Sequence, residues 1–215
     1  VTSPTPVGVL VSGAGSNLEA LLRACHEPDY PARVVVVVAN RRSAPALEIA
    51  RQWEVPAFGM PVADYDGDSV ARDRAILGTL QAAEVELVVC AGYDRILSDE
   101  FLSAYADAIL NVHPSLLPSF GGGMHAVEDA LAYGAKVTGC TVQLLEPGAV
   151  DGGPVVLQAP VDVVDGDDAD SLRGRIHEQE WRILPEAVAL WSTHRLWREG
   201  RWIRILPEHD AAVHR

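Results

Sequence analysis

Apolar residues in this chain come in short, nearly unbroken runs, separated by stretches in which apolar positions recur at helical spacing. The runs in the first half are VGVLVSG, PARVVVVVAN, VELVVCAG and AILNVH. None alternates polar with apolar, so each reads as a strand covered on both faces. Between them the spacing predicts helices from about Asn17 to His26, over APALEIARQW, and near Ser69–Ala83, with a short PAFGM and a turn-rich ADYDGD before the third. Strands alternating with helices predict a mostly parallel, twisted sheet with helices on both faces, a Rossmann-like α/β fold. Right-handed crossovers then gather the loops that follow the strands along one edge, where such sheets bind ligands.

The pattern changes in the second half. KVTGCTVQLLEPG and GGPVVLQAPVDVV are two long strand candidates around the turn-like EPGAVDGG, which predicts an antiparallel extension of the sheet. A long helix is expected near Ala169–Ser192, with Ile176, Ile183, Leu184 and Val188 on its apolar side, and RLWREGRWIRILPEH reads as a small hairpin about Glu199–Gly200. No repeat, low-complexity segment or linker divides the chain. A single domain over 1–215 is therefore expected, with an N-terminal half of about 1–105 and a C-terminal half of about 106–215.

Composition narrows the function classes. Hydrophobic residues at 48% and charged residues at 22% are ordinary for a soluble globular protein. A formal charge of −13 argues against long-range attraction to nucleic acid or an anionic membrane surface. It does not argue against a phosphorylated metabolite, because backbone N–H groups at a helix N-terminus hold phosphate without a basic surface. No apolar run approaches the roughly 20 residues of a membrane span, and VTSPTP has neither the basic region nor the apolar core of a signal peptide. Cys25, Cys90 and Cys140 show no CxxC spacing, so neither a disulfide framework nor a zinc site is predicted, and Cys90 and Cys140 are expected to be buried thiols. A cytoplasmic protein is expected.

Three loops carry candidate chemistry. In VLVSGAGSNLEALL, Gly13 and Gly15 lack the Cβ atoms that would keep an anion from the backbone, and Ser16 and Asn17 open a helix, giving a nest of N–H groups. It is neither a Walker loop nor a full GxGxxG, and a tight turn without a ligand is the competing reading. In AILNVHPSLLPS, Asn111 and His113 lie at i and i+2, so their side chains leave an extended strand on the same side. A carboxamide N–H can donate to a developing oxyanion and an imidazole can carry a proton near neutral pH, while Pro114 and Pro118 stiffen the exit. A capped turn with a surface histidine is the alternative. In AVDGGPVVLQ, Asp151 reads either as part of a solvated turn or, if the loop folds back, as a partner that manages the His113 proton. No Ser or Cys elbow and no His/Asp metal spacing competes with this set.

Taken together, these segments resemble the glycinamide ribonucleotide formyltransferase family of purine biosynthesis. SGAGSNLEALL is similar to the family's SGxGSNLQAxx loop, AGYDRILS to its AGFMRILS, NVHPSLLPSF to its N-[IV]-HPSLLP signature, and VDGGPVVLQ to its LDGGPVILQ. IHEQEWRILP matches the family pattern in the long helix, and the similarity runs in order from about Val7 to Trp191. The resemblance implies direct formyl transfer from 10-formyltetrahydrofolate to the amine of glycinamide ribonucleotide, without a metal. It implies that Gly15, Ser16 and Asn17 hold the 5′-phosphate, Glu180 the ribose hydroxyls, and Arg95, Ile96, Leu97 and Val150 flank the folate. It makes Asn111, His113 and Asp151 the catalytic trio, with Asp151 also in the loop that closes over the folate. The partners implied are these two small molecules, with the chain a monomer or homodimer.

The chain also departs from the family. Asp94 stands where Met is common, Gln143 replaces a common His, FGGGMHA is longer than its YPGLH counterpart, and the loop ending in DGG is longer by about one residue. The family's phosphate-binding Arg has no clean equivalent, and Arg72, beside Arg74, is the expected substitute. A deformylase using water as acceptor, and a noncatalytic nucleotide-binding Rossmann protein, are the competing functional readings.

Overall fold

A computed structural model describes residues 3–148 and 150–208. The first half alternates as the apolar runs predict: β1 (Thr5–Val11), α1 (Ser16–Cys25), β2 (Ala32–Ala39), α2 (Ala46–Gln52), β3 (Ala57–Gly59), α3 (Ser69–Ala82) and β4 (Leu87–Cys90). Then come α4 (Asp99–Ala104), β5 (Ile109–His113), α5 (Ala126–Tyr133), β6 (Val137–Leu144), β7 (Val155–Asp162), the long α6 (Ala169–Ser192), and a hairpin of β8 (Leu196–Glu199) and β9 (Trp202–Ile205). The two helices that the apolar periodicity did not predict, α4 and α5, have six and eight residues. So few turns give a period little chance to repeat. Ser98 nonetheless starts α4 by accepting the Phe101 N–H.

Seven strands form one sheet in the order β3-β2-β1-β4-β5-β6-β7. The first five in sequence pair in parallel, while β5–β6 and β6–β7 are antiparallel, which is the predicted extension. The chain winds outward from β1 to β3 and then restarts at β4 on the other side of β1. The carboxyl ends of β1 and β4 therefore splay apart at a topological switch point, where open α/β sheets bind ligands.

Burial explains the strand sequences. The valines of β2 are covered on both faces, as in a central parallel strand. On one face Leu18, Leu21 and Leu22 of α1, Leu47 of α2 and Ile176, Ile183 and Val188 of α6 pack on Val7, Val9, Val37 and Val89. On the other, Ile76 and Leu80 of α3 and Phe101 of α4 pack on Leu10, Val38, Val88 and Cys90. Cys90 and Cys140 are buried free thiols, each pushed up to about 12 by burial, so they are poor nucleophiles. An Asp168–Ser171 capping box starts α6. Among the described residues no helix is long and apolar enough to cross a membrane.

Candidate active site

Two cavities open on the carboxyl edge of the sheet, and they share the walls Gly92, Val112, Pro114 and Met124. The smaller, about 240 Å³, lies over the β1–α1 loop. Gly15 there has φ +90°, and a Cβ on it would lie 2.7 Å from the Ala46 Cβ and 2.9 Å from its Cα. Glycine is thus required twice, for the left-handed turn and for the approach of α2. The first helical bond of α1 runs from Glu19 N–H to the Gly15 carbonyl, which leaves the N–H groups at the start of the helix without helical partners. The opposite wall is α6, which presents Arg173, His177 and Glu180 at i, i+4 and i+7.

Glu180 is buried and accepts from Asn17 Nδ2 at 2.7 Å. Burial pushes its carboxyl up to about 7, against the opposing pull of the Asn17 hydrogen bond. His177 Nε2 lies 4.0 Å from Glu180 and the ring stacks on Trp181. Burial, and secondarily the charge of Arg173, lowers the His177 pKa. Arg173 pairs with Glu128 and, at 2.9 Å, with Asp170.

The larger cavity, about 720 Å³, is walled by the segment after β4, by the end of β5 and by the β6–β7 loop. Asn111 and His113 both line it, as their i, i+2 spacing on a strand predicts. The Asn111 carboxamide is half-buried and unpartnered among the described residues, which leaves it free to donate into the cavity. His113 is buried, its Nε2 lies 3.1 Å from the Phe120 carbonyl and its Nδ1 lies 3.5 Å from Asp151 Oδ2. Both ring nitrogens thus face oxygen atoms of the protein.

Asp151 sits in left-handed backbone, φ +49°, and is held from two sides. Gly122 N–H donates to Oδ2 at 2.8 Å and Gln143 Nε2 donates to Oδ1 at 3.1 Å. The β6–β7 register shifts between Val142 and Gln143, an irregularity that sits beside the carboxylate Gln143 reaches. Downstream of His113, Thr141 Oγ1 accepts from Leu117 N–H at 3.0 Å and donates to the Ser115 carbonyl at 2.7 Å. Those bonds, with the prolines, fix the PSLLPS loop. The FGGGMHA segment supplies a backbone acceptor to His113 and a backbone donor to Asp151.

The remaining expected residues divide. Arg95, Ile96, Leu97 and Val150 line the larger cavity, with Leu97 buried and the other three exposed. Gly15, Ser16, Asn17 and Glu180 line the smaller one. Arg72 joins neither, and the expectation that it reaches a phosphate is corrected. It is buried on α3, against the opposite face of the sheet, with its guanidinium on Asp73 Oδ1 at 2.7 Å, while Asp73 Oδ2 accepts the Ser98 N–H at 2.8 Å. The pair is closed within the fold. Arg173 and His177, which line the smaller cavity, were missed by the sequence reading; their helical spacing from Glu180 was the signal available. Among the described residues no group of three or more His, Cys, Asp or Glu is arranged to hold a metal.

The family model described as formyl transferase matches residues 6–188. The chain is 48% identical to the phosphoribosylglycinamide formyltransferase of Mycobacterium tuberculosis over 200 residues, 93% of this chain and 91% of that one. The chain belongs to the phosphoribosylglycinamide formyltransferase family. The Escherichia coli member is 36% identical over 211 residues, covering 95% of this chain and 97% of that protein. The crystal structure of glycinamide ribonucleotide transformylase 1 from Symbiobacterium toebii superposes with a TM-score of 0.91 at 46% identity, covering 95% of each chain. A family member of this kind is a formyltransferase of purine biosynthesis.

Proposed function

We propose that the protein transfers the formyl group of 10-formyltetrahydrofolate to the amine of glycinamide ribonucleotide by direct attack through a tetrahedral intermediate. The observation that carries this reading is that Asn111, His113 and Asp151 line the larger cavity beside Val112 and Pro114, which also wall the smaller one. The smaller cavity fits a ribose phosphate. Unpartnered N–H groups at the start of α1 suit the phosphate, and the buried Glu180 carboxyl suits ribose hydroxyls. The larger one, mostly apolar with a few polar groups, has the volume of a site for a drug-sized ligand such as a reduced folate, with Arg95, Ile96, Leu97 and Val150 along it.

On this reading the substrate amine enters from the smaller cavity and attacks the formyl carbon presented from the larger. Negative charge develops on the formyl oxygen, where the Asn111 amide donates to it and the His113 Nε2–H does so in exchange for the Phe120 carbonyl. Asp151, beside His113 Nδ1, assists the passage of a proton from the attacking nitrogen to the departing folate nitrogen. Collapse of the intermediate leaves the formylated amide and tetrahydrofolate. The half of about 1–105 supplies the phosphate nest and the segment beside the folate. The half of about 106–215 supplies the catalytic trio and Glu180.

The test is formyl transfer followed by folate absorbance with glycinamide ribonucleotide present or omitted. Turnover should require the ribonucleotide, and Asn111→Ala, His113→Ala and Asp151→Ala should each lower kcat by about 10²-fold or more. Turnover with water alone would identify a deformylase instead, and near-wild-type rates in all three variants would remove the trio from the mechanism.

A further inference from the structure

The C-terminal hairpin stands apart from the seven-stranded sheet, yet two of its bonds end on the β6–β7 loop that walls the larger cavity. Its inner side is anchored by Leu196 and Ile203, packed against the main core, and its open end is closed by Arg195 Nε donating to the Leu206 carbonyl at 2.7 Å. From its outer end Arg198 donates to Asp107, just ahead of β5, and at 2.7 Å to Glu146 at the start of the β6–β7 loop. The same guanidinium closes the hairpin turn on the Gly200 carbonyl at 2.8 Å. Arg201 donates at 2.7 Å to the carbonyl of Gly152, the residue after Asp151. One turn of chain thus grips both ends of the loop that carries Val150 and Asp151.

We propose that the β8–β9 hairpin is a clasp, and that Arg198 and Arg201 are positioning residues that fix the folate-side loop and, through it, the aim of Asp151 at His113. This rests on the reading of the larger cavity as the folate site. The physical need is specific. Asp151 occupies left-handed backbone, a conformation that persists in a non-glycine residue only where its surroundings over-determine it. On its side-chain end Gln143 and Gly122 supply that constraint, and on the chain end the bond from Arg201 does. A lone exposed ion pair contributes little, but Arg198 meets two carboxylates and a carbonyl from three separate segments, so its geometry is held by a network. Misplacing a catalytic group by about 1 Å can cost on the order of 10²-fold in rate, so a modest clasp has catalytic leverage.

The test compares Arg198→Ala, Arg201→Ala and Arg201→Lys with wild type and with Arg204→Ala, whose partner Glu199 lies within the hairpin. Four readouts apply: kcat and KM for each substrate, the pH profile of kcat, tetrahydrofolate binding by calorimetry, and amide exchange of the 145–152 segment. The two Ala variants should weaken tetrahydrofolate binding and lower kcat by about tenfold, move the pH profile, and speed exchange in the loop. KM for the ribonucleotide should stay within about twofold, Arg201→Lys should recover part of the loss, and Arg204→Ala should match wild type. Unchanged folate binding, pH profile and loop exchange in both Ala variants would overturn the clasp. So would an equal loss for both substrates accompanied by a lower Tm, which marks a merely structural role. Wild type that turns over without the ribonucleotide refutes the acceptor assignment and leaves the clasp measurable by tetrahydrofolate binding. Wild type that binds no tetrahydrofolate refutes both.

Discussion

At the scale of single residues, Glu180 has an energetic cost that its proposed task explains. Burial raises its carboxyl to about 7, above the ordinary 4.5, and the Asn17 bond offsets only part of that. Between those two values the folded chain holds a proton that the unfolded chain has released. Stability therefore falls as pH rises through that window and levels off above it. The span corresponds to roughly 3 kcal/mol at 1.36 kcal/mol per unit. Urea unfolding of Glu180→Gln should show that slope removed between about pH 4.5 and 7, with the variant gaining on wild type at the alkaline end while ribonucleotide binding weakens. An unaltered slope in the variant would mean that Glu180 does not carry this titration. The residue itself was legible in IHEQEWRILP through the family pattern, as were Asn111, His113 and Asp151. The partners that hold them were not. Gly122 and Phe120 act through backbone groups, and a local register shift sits beside the Gln143 amide that meets Asp151; neither backbone groups nor a shift leaves a mark in residue type.

At the scale of elements, the order of strands and helices was written in the apolar runs, because parallel central strands must be covered on both faces. What the runs could not give was how closely two strands approach where a loop leaves them. Gly153 shows it. A Cβ there would lie 1.8 Å from the Leu144 carbonyl oxygen, a backbone atom that cannot move aside alone, beside the bond from Leu144 N–H to the Pro154 carbonyl. Gly153→Ala should force β6 and β7 apart at the mouth of the Asp151 loop and cost about 2 kcal/mol or more in denaturant melts, with loss of turnover. Gly174→Ala is the contrast. It lies on the exposed side of α6 with open space around its missing Cβ, so the same change should leave stability unchanged or raise it by up to about 1 kcal/mol. Equal effects at the two positions would show that the close approach is not what makes Gly153 necessary.

At the scale of the whole molecule, the site exists because the sheet brings the ends of β1, β2 and β4 side by side, and Asp94 ties those ends together. The family commonly has Met at this position. Here the carboxylate accepts from Ser12 Oγ at 3.0 Å after β1 and from Asn40 Nδ2 at 2.6 Å after β2, and it pairs with Arg41 and Arg95. Its own N–H donates back to Ser12 Oγ at 2.8 Å, and Arg41 also donates to the Ser12 carbonyl at 3.1 Å. A charge in place of a thioether is therefore met by a shell of donors, and the exchange is compensated rather than disruptive. Partial burial by itself raises the Asp94 carboxyl. The bonds from Ser12 and Asn40, then the charges of Arg41 and Arg95, outweigh it and hold the group below the usual carboxylate range. A depressed value means the knot stabilises the fold above the ordinary carboxylate pKa and is lost as pH falls through the lowered one. Asp94→Asn should cost about 1–2 kcal/mol near pH 7, and the gap from wild type should close in strong acid. Because Gly92 borders both cavities and Asp94 lines the larger, KM should rise for both substrates together, unlike the folate-selective loss expected of the hairpin arginines. If Asp94→Asn melts like wild type at neutral pH, the three strand ends are held by the sheet alone and the knot adds nothing to the site.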